Sequence, residues 1–266
     1  LKLQISQEKA FDIIEGYNIY DDKFIFIREV IQNALDATKL KLWQDLNSGF
    51  YNSWIKNKRD SWSDLQPYDL PEEIYENYFI TINLNAIDNN IIEFNVIDRG
   101  IGLDILTFKQ LCNVGSSNKD FKDKKKIIKS MPKWLRPTAG FGIGLQSIFL
   151  ITDKFEIETN ASDNPLIATI YANKKGSYIQ LKEARKNITR GTKIKILIKE
   201  NTLINTKEDI FINMLDSVLD AINNSLKKYC NECLFPIKIF KSKKEVLSYP
   251  AKIPTINMTR FDWIFD

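Results

Sequence analysis

Hydrophobic and polar positions along this chain fall into blocks with two different periods. Apolar residues recur every three to four positions at 6–15 and 23–46, the spacing of an amphipathic helix. The second block opens after Asp21 and Asp22, which suit an N-cap. Strict alternation takes over at 79–86 and 91–98, two strands turned around Asp88, Asn89 and Asn90 and the clearest hairpin of the chain. Further strand patterns lie near 154–159, 165–172, 177–182 and 192–199, followed by a helical pattern at about 206–228 and a strand at about 236–241.

The stretches between these blocks have characters of their own. Residues 47–77, with Trp54, Trp62, Pro67 and Pro71, read as an insertion carrying short helical pieces. Residues 104–139 begin as a helix, pass through Gly115, Ser116 and Ser117, and become Lys-rich and irregular, as a lid or a solvated loop would. The glycine-rich run 140–144 leads into an apolar helical pattern. Helices and hairpins come in blocks and not as a strict βαβ series. The expected fold is therefore α/β in the α+β sense, a two-layer sandwich of helices on a mixed, largely antiparallel sheet. One domain is expected over 1–243, with 244–266 as the start of a linker to a further domain.

Composition changes this picture mainly by exclusion. None of the 266 residues is His, which removes Ser-His-Asp and Cys-His nucleophilic sites, His-ligated metals and a phospho-accepting histidine. Proton transfer must run through carboxylates, Lys, Tyr, Cys or water. The formal charge of +4 is a weak hint of anionic partners. The longest nearly apolar run, 141–151, is broken by Gln146 and Ser147 and falls short of the ~20 residues of a membrane span. Cys112, Cys230 and Cys233 fit a reducing, cytoplasmic setting. The pair Cys230 and Cys233 could form half a zinc or redox site, but reads more simply as incidental thiols after a helix. The chain opens at Leu1 and not at Met, which points to a fragment or a processed product.

Candidate chemistry shows as polar residues on faces that should be apolar. At ~100° per residue, Glu29, Asn33 and Asp36 lie within about 60° of one another on the second helix, with Phe26, Val30 and Ala37 to one side. That stripe is either a solvent face or two carboxylates and an amide lining a cleft. In 91–98, Ile92, Phe94, Val96 and Asp98 share a face, so three apolar residues end in an acid that needs a partner. Thr192 stands in the same relation to Ile194, Ile196 and Ile198. Gly100 and Gly102 after Asp98 allow a sharp turn and close approach to a ligand. The run Gly140, Phe141, Gly142, Ile143, Gly144 before a helix offers backbone N–H groups suited to phosphate, though a plain strand-to-helix turn has the same look.

Four motifs in order carry a resemblance. They are Arg28-Glu29-Val30-Ile31-Gln32-Asn33-Ala34-Leu35-Asp36-Ala37, then Asp98-Arg99-Gly100-Ile101-Gly102-Leu103, then Gly140-Phe141-Gly142-Ile143-Gly144-Leu145-Gln146-Ser147, then Gly191-Thr192. The set resembles the GHKL superfamily of ATP-binding domains (the Bergerat fold), and within it the N-terminal domain of the heat shock protein 90 family, over about residues 8–243. The resemblance implies ATP and Mg2+ as cofactors, nucleotide-driven closure of a lid at 104–139, and slow ATP hydrolysis. Glu29 is then the general base, Asn33 the Mg2+ ligand, and Asp98 the acceptor for the adenine amine, supported by Thr192. Asp36 is implied in the network beside the base, and Gly100 and Gly102 in the nucleotide floor. Asn113 falls near the sugar and phosphates, Gly140, Phe141, Gly142, Ile143 and Gly144 around the phosphates, and Lys119 as a looser phosphate contact.

The implied partners are ATP or ADP and additional domains of the same polypeptide. A homodimer of the full-length protein and a nucleic acid are further candidates, and no membrane is implied. The basic run Lys122, Lys124, Lys125, Lys126, Lys129, Lys133 and Arg136 has no match in the family pattern; it is a solvated loop or a polyanion contact. Competing readings are a nucleotide-sensing module that does not hydrolyse, a kinase of the histidine type, and an ATPase module of a nucleic-acid-processing protein.

Overall fold

The computed structural model describes residues 24–54, 62–88, 90–112, 126–138, 144–161, 164–172, 178–184, 188–199, 214–230 and 233–254. The helical pattern at 6–15 and the first part of 206–228 lie outside them. The long helix α1 spans Ile25–Asn47 and buries Phe26, Ile27, Val30, Ile31, Ala34, Leu35, Leu42 and Leu46. Its N-cap is Phe24, with no side-chain cap. The Phe24 carbonyl instead accepts the Ile27 N–H at 2.9 Å, and burial of the first turn holds the end. The helix stops at Ser48, where Gly49 turns the chain at φ +77°.

Eight strands form one sheet: β1 (Ile80–Asp88), β2 (Ile91–Asp98), β3 (Lys154–Asn160), β4 (Leu166–Tyr171), β5 (Tyr178–Glu183), β6 (Gly191–Lys199), β7 (Ile237–Lys241) and β8 (Lys244–Tyr249). Their order is β5-β4-β3-β6-β2-β1-β7-β8. Every neighbouring pair is antiparallel except β1 with β7, so the sheet is mixed and largely antiparallel, as the block pattern required. The helix α4 (Met214–Tyr229) leads into β7 and contacts both α1 and β1. Shorter helices, α2 (Glu72–Glu76) and α3 (Ile105–Cys112), complete the named α-helical elements.

One sheet face, including Ile80, Ile82, Leu84, Ile92, Phe94, Val96, Ile194, Ile196 and Ile198, is buried with the apolar face of α1 in a single core. Phe26 meets Phe94 edge-to-face at 5.7 Å. Each fully buried aliphatic side chain contributes about 1.5–3 kcal/mol, so this interface is the main source of stability. The opposite face is polar, with Lys195 paired to Glu93 at 3.2 Å and Lys193 to Glu158 at 3.1 Å. Period-two alternation in the sequence is the direct trace of these unlike faces.

Three regions differ from the expected outline. The sheet continues past residue 243: Ser242 and Lys243, both at positive φ, turn the chain and β8 pairs with β7. Only six residues long, with most side chains partly or fully exposed, β8 lacks the apolar alternation that betrayed the other strands. The segment after the glycine run is a 3₁₀ helix, Gly144–Leu150, and not an α-helix. The described part of the expected 47–77 insertion packs into the core, where Tyr51, Leu65, Leu70, Ile74 and Tyr75 are buried.

Candidate functional site

Asp98 closes β2, opposite Thr192 of β6, which in turn lies opposite Thr159 of β3. Three polar side chains thus form a row across three central strands at one end of the apolar face, and all three are buried. Asp98 Oδ1 accepts the Gly100 N–H at 2.7 Å and the Thr192 N–H at 3.2 Å. Among the described residues nothing hydrogen-bonds Oδ2. Burial pushes the carboxyl up to about 7 although both backbone donors pull the other way. A group so placed can take a proton or accept from a ligand amine.

Thr159 was not singled out by the sequence reading. Its hydroxyl accepts the Leu103 N–H at 2.7 Å, donates to the Gly191 carbonyl at 3.1 Å, and lies 3.4 Å from the Thr192 hydroxyl. The signal was available, because Thr159 follows Phe155 and Ile157 on their face just as Asp98 follows Phe94 and Val96. Thr192 supports Asp98 through its backbone N–H, while its hydroxyl faces Thr159.

The turn after Asp98 is held between α1 and β3. The Ile101 N–H donates to the Ala37 carbonyl at 3.2 Å. A Cβ on Gly100 would come within 2.6 Å of Ala37, and one on Gly102, at φ +73°, within 2.5 Å of the Asn160 carbonyl. Both glycines therefore serve close packing of the turn that follows Asp98, Gly100 against Ala37 of α1 and Gly102 against Asn160 of β3. Gly191 is the tightest position: at φ +121°, a Cβ would lie 2.1 Å from the Asp98 carbonyl oxygen. Backbone cannot yield there, so Gly191→Ala is expected to cost about 3 kcal/mol or more and to lower the melting temperature by roughly 10 °C in a calorimetric scan. An unchanged transition would contradict this packing.

On α1, Glu29 and Asn33 are half-buried and Asp36 is buried. Arg28 forms an ion pair with Glu29, its Nε 3.0 Å from Oε1. The Asn33 side chain makes no hydrogen bond to any described residue. Gly144 sits against Glu29, since a Cβ there would lie 2.3 Å from Oε2. Asp36 faces elsewhere, accepting the Thr138 N–H at 3.1 Å on both carboxylate oxygens and binding Gln32 and Lys39.

Part of the expected irregular lid is well built. Met131 and Leu135 are buried, the Trp134 indole donates to the Leu65 carbonyl at 2.6 Å, and the Arg136 guanidinium donates to the Met131 and Lys129 carbonyls at 3.0 Å each. Arg136 is thus a structural clamp and not a member of a free basic run. Asn113, Lys119, Gly140, Phe141, Gly142 and Ile143 lie outside the described residues, as do Lys122, Lys124 and Lys125.

The thiols of Cys230 and Cys233 are pushed up to about 12 and about 11 by burial, which leaves them protonated and unreactive. Among the described residues no group of three or more His, Cys, Asp or Glu gathers to hold a metal, and no helix is long and apolar enough to cross a membrane.

No protein-family model matches the chain. It is 27% identical over 244 residues to the chaperone protein HtpG of Oceanobacillus iheyensis, covering 90% of this chain and 33% of that protein. It is 24% identical over 262 residues to HtpG of Wolbachia pipientis, covering 96% of this chain and 35% of the relative. An endoplasmin homolog of Dictyostelium discoideum is 27% identical over 245 residues, 91% of this chain and 27% of that protein. The chain spans about a third of the length of the curated relatives it matches.

Proposed function

We propose that this chain is the ATP-binding domain of a heat shock protein 90-type chaperone, a member of the GHKL superfamily, and that it hydrolyses ATP slowly with Mg2+. The observation that carries the reading is Asp98: a buried carboxylate with one oxygen fixed by two backbone N–H groups and the other left to accept. Similarity to chaperones over about nine-tenths of the chain supports it.

The residues fit the nucleotide and its metal. Mg2+ keeps most of its shell as water and phosphate oxygens and needs few protein ligands, so one amide oxygen, that of Asn33, suffices without an acidic cage. When bound, the ion would neutralise phosphate charge. Asp98 would accept from the adenine exocyclic amine, with Thr192 and Thr159 fixing the carboxylate and the turn behind it. Glu29 would orient and deprotonate the attacking water, as no histidine competes for that work. Closure of the 104–139 lid belongs to the same proposal. The bonds from Thr138 to Asp36 and from Trp134 to Leu65 mark the end of that segment which stays on the body of the domain.

Adenosine binding tests the base pocket apart from phosphate. Asp98 is raised to about 7, and when protonated its outer oxygen becomes a donor facing an amine donor. Adenosine affinity is therefore expected to fall about tenfold per unit as pH drops below 7 and to level off above it. Guanosine, with a carbonyl at the amine position, should bind at least about 30-fold more weakly at pH 8, where the charged carboxylate would face a second acceptor. A flat pH profile, or equal binding of the two nucleosides, would remove Asp98 from the base pocket.

A further inference from the structure

The polar face of the sheet pairs its cations with acids at one place and leaves them without acids at another. In the row that crosses β7, β1, β2 and β6, Lys238 lies opposite Thr81, Thr81 opposite Ile97, and Ile97 opposite Lys193. Their strand neighbours Ile239, Ile82, Val96 and Ile194 are buried in the core, so these side chains belong to the outer face. Lys193 has Glu158 beside it, and the next outward lysine of β6, Lys195, has Glu93. At the β7 end of the row, Phe79 precedes β1 and Arg99 follows β2. The Arg99 guanidinium lies 3.9 Å from the centre of the Phe79 ring and the Lys238 ammonium 4.9 Å from the same centre, so the two charges stand no more than about 9 Å apart. Arg99 gives one N–H to the Asn77 carbonyl at 3.4 Å. Among the described residues, neither cation forms an ion pair with a carboxylate.

We propose that Arg99, Phe79 and Lys238 form a docking site for an acidic peptide segment of a partner protein. An aromatic ring holds a cation in place without cancelling its charge. Two like charges sharing one ring repel each other, and carboxylates are the groups that relieve both. Arg99 is exposed and Lys238 half-buried, so a partner can reach them. Stacked on the ring, the Arg99 guanidinium has its planar fork set in advance, and the N–H groups not given to Asn77 can take a carboxylate bidentately. Acidic residues two positions apart on an extended chain stand about 7 Å from each other on one side of it, a spacing that spans Arg99 and Lys238. Phe79 and Ile97, both half-buried, add apolar surface beside the charges, which suits a peptide better than a chain of phosphates. The site does not depend on the nucleotide reading. Arg99 lies on Phe79 at the outer face, whereas Asp98 is buried with the core face.

Fluorescence anisotropy on the whole chain tests this, with a labelled decapeptide of alternating glutamate and alanine as the probe. A decapeptide of alternating lysine and alanine and a single-stranded oligonucleotide of the same charge as the glutamate probe serve as comparisons. The glutamate peptide should bind, the lysine peptide should not, and binding should weaken as salt is raised. Affinity for the glutamate peptide should fall about threefold in Lys238→Gln and about tenfold in Arg99→Gln, since the guanidinium makes the bidentate contact. Lys238→Arg keeps the charge and should bind within about twofold of the wild type. If Arg99→Gln loses the fold because its ring contact holds the turn, the two Lys238 variants decide the matter. Unchanged peptide affinity in Lys238→Gln and Arg99→Gln, with only the melting temperature lowered, would make the trio a structural clamp and overturn the proposal. So would a wild type that does not bind the glutamate peptide, equal binding of the lysine peptide, or tighter binding of the oligonucleotide than of the glutamate peptide.

Discussion

Asp98→Asn should abolish high-affinity ATP binding, lowering affinity by roughly 100-fold, while the fold survives. The amide must place its oxygen where Oδ1 now accepts from Gly100 and Thr192, since both of those donors are buried. Its NH2 group then occupies the Oδ2 position and confronts the adenine amine, donor against donor. Loss of a charge-assisted hydrogen bond with a donor left unpaired costs about 1.5–3 kcal/mol, which is about 10- to 150-fold in affinity.

Stability should move the other way. Asp98 has its folded value raised from 3.8 to about 7, so its contribution favours the folded state below the unfolded value and declines as pH rises from about 4 to about 7. The Asn variant has no charge to bury and should melt no lower than wild type at pH 8. Titration calorimetry and a melting curve at that pH check both halves. Wild-type affinity in the Asn variant would mean that the pocket is wrongly assigned.

Glu29→Ala should separate binding from turnover. ATP affinity is expected to stay within about threefold of wild type, because the carboxylate serves the water and not the nucleotide, whereas hydrolysis should fall by about 10² or more. Arg28 holds the Glu29 carboxylate in this structure, so on the proposed reading that pairing must open before Glu29 can act on water. Phosphate release is the measurement, made on the full-length protein, and an unchanged rate in the variant would exclude Glu29 as the base. Absence of any wild-type turnover would favour the sensing module, which binds without hydrolysis.

Much of this was legible in the sequence, and the reasons are particular. The hairpin of β1 and β2, and strands β3 to β6, showed because one face is buried and the other wet, so period-two alternation was forced at nearly every position. Asp98 and Thr192 showed because each interrupts that alternation at a strand end, and Thr159 carries the same mark. The edge strand β8 did not show, for its side chains are mostly exposed or half-buried and nothing dictates their polarity. Arg136 was grouped with the basic run by spacing alone, since composition cannot tell a solvated guanidinium from one bound to the Met131 and Lys129 carbonyls.

What the sequence determined by itself is the set of local constraints: which faces are apolar, where glycine is required, and that no histidine can carry the proton. Tertiary structure alone decided which of those residues meet. Asp98, Thr192 and Thr159 are far apart in the chain and become neighbours only through strand register, a long-range choice that no local pattern encodes. Asp36 shares a helix stripe with Asn33, yet beside its helix neighbours Gln32 and Lys39 it binds Thr138, 102 residues away. Helical periodicity places a side chain on a face, but only packing brings another segment to that face.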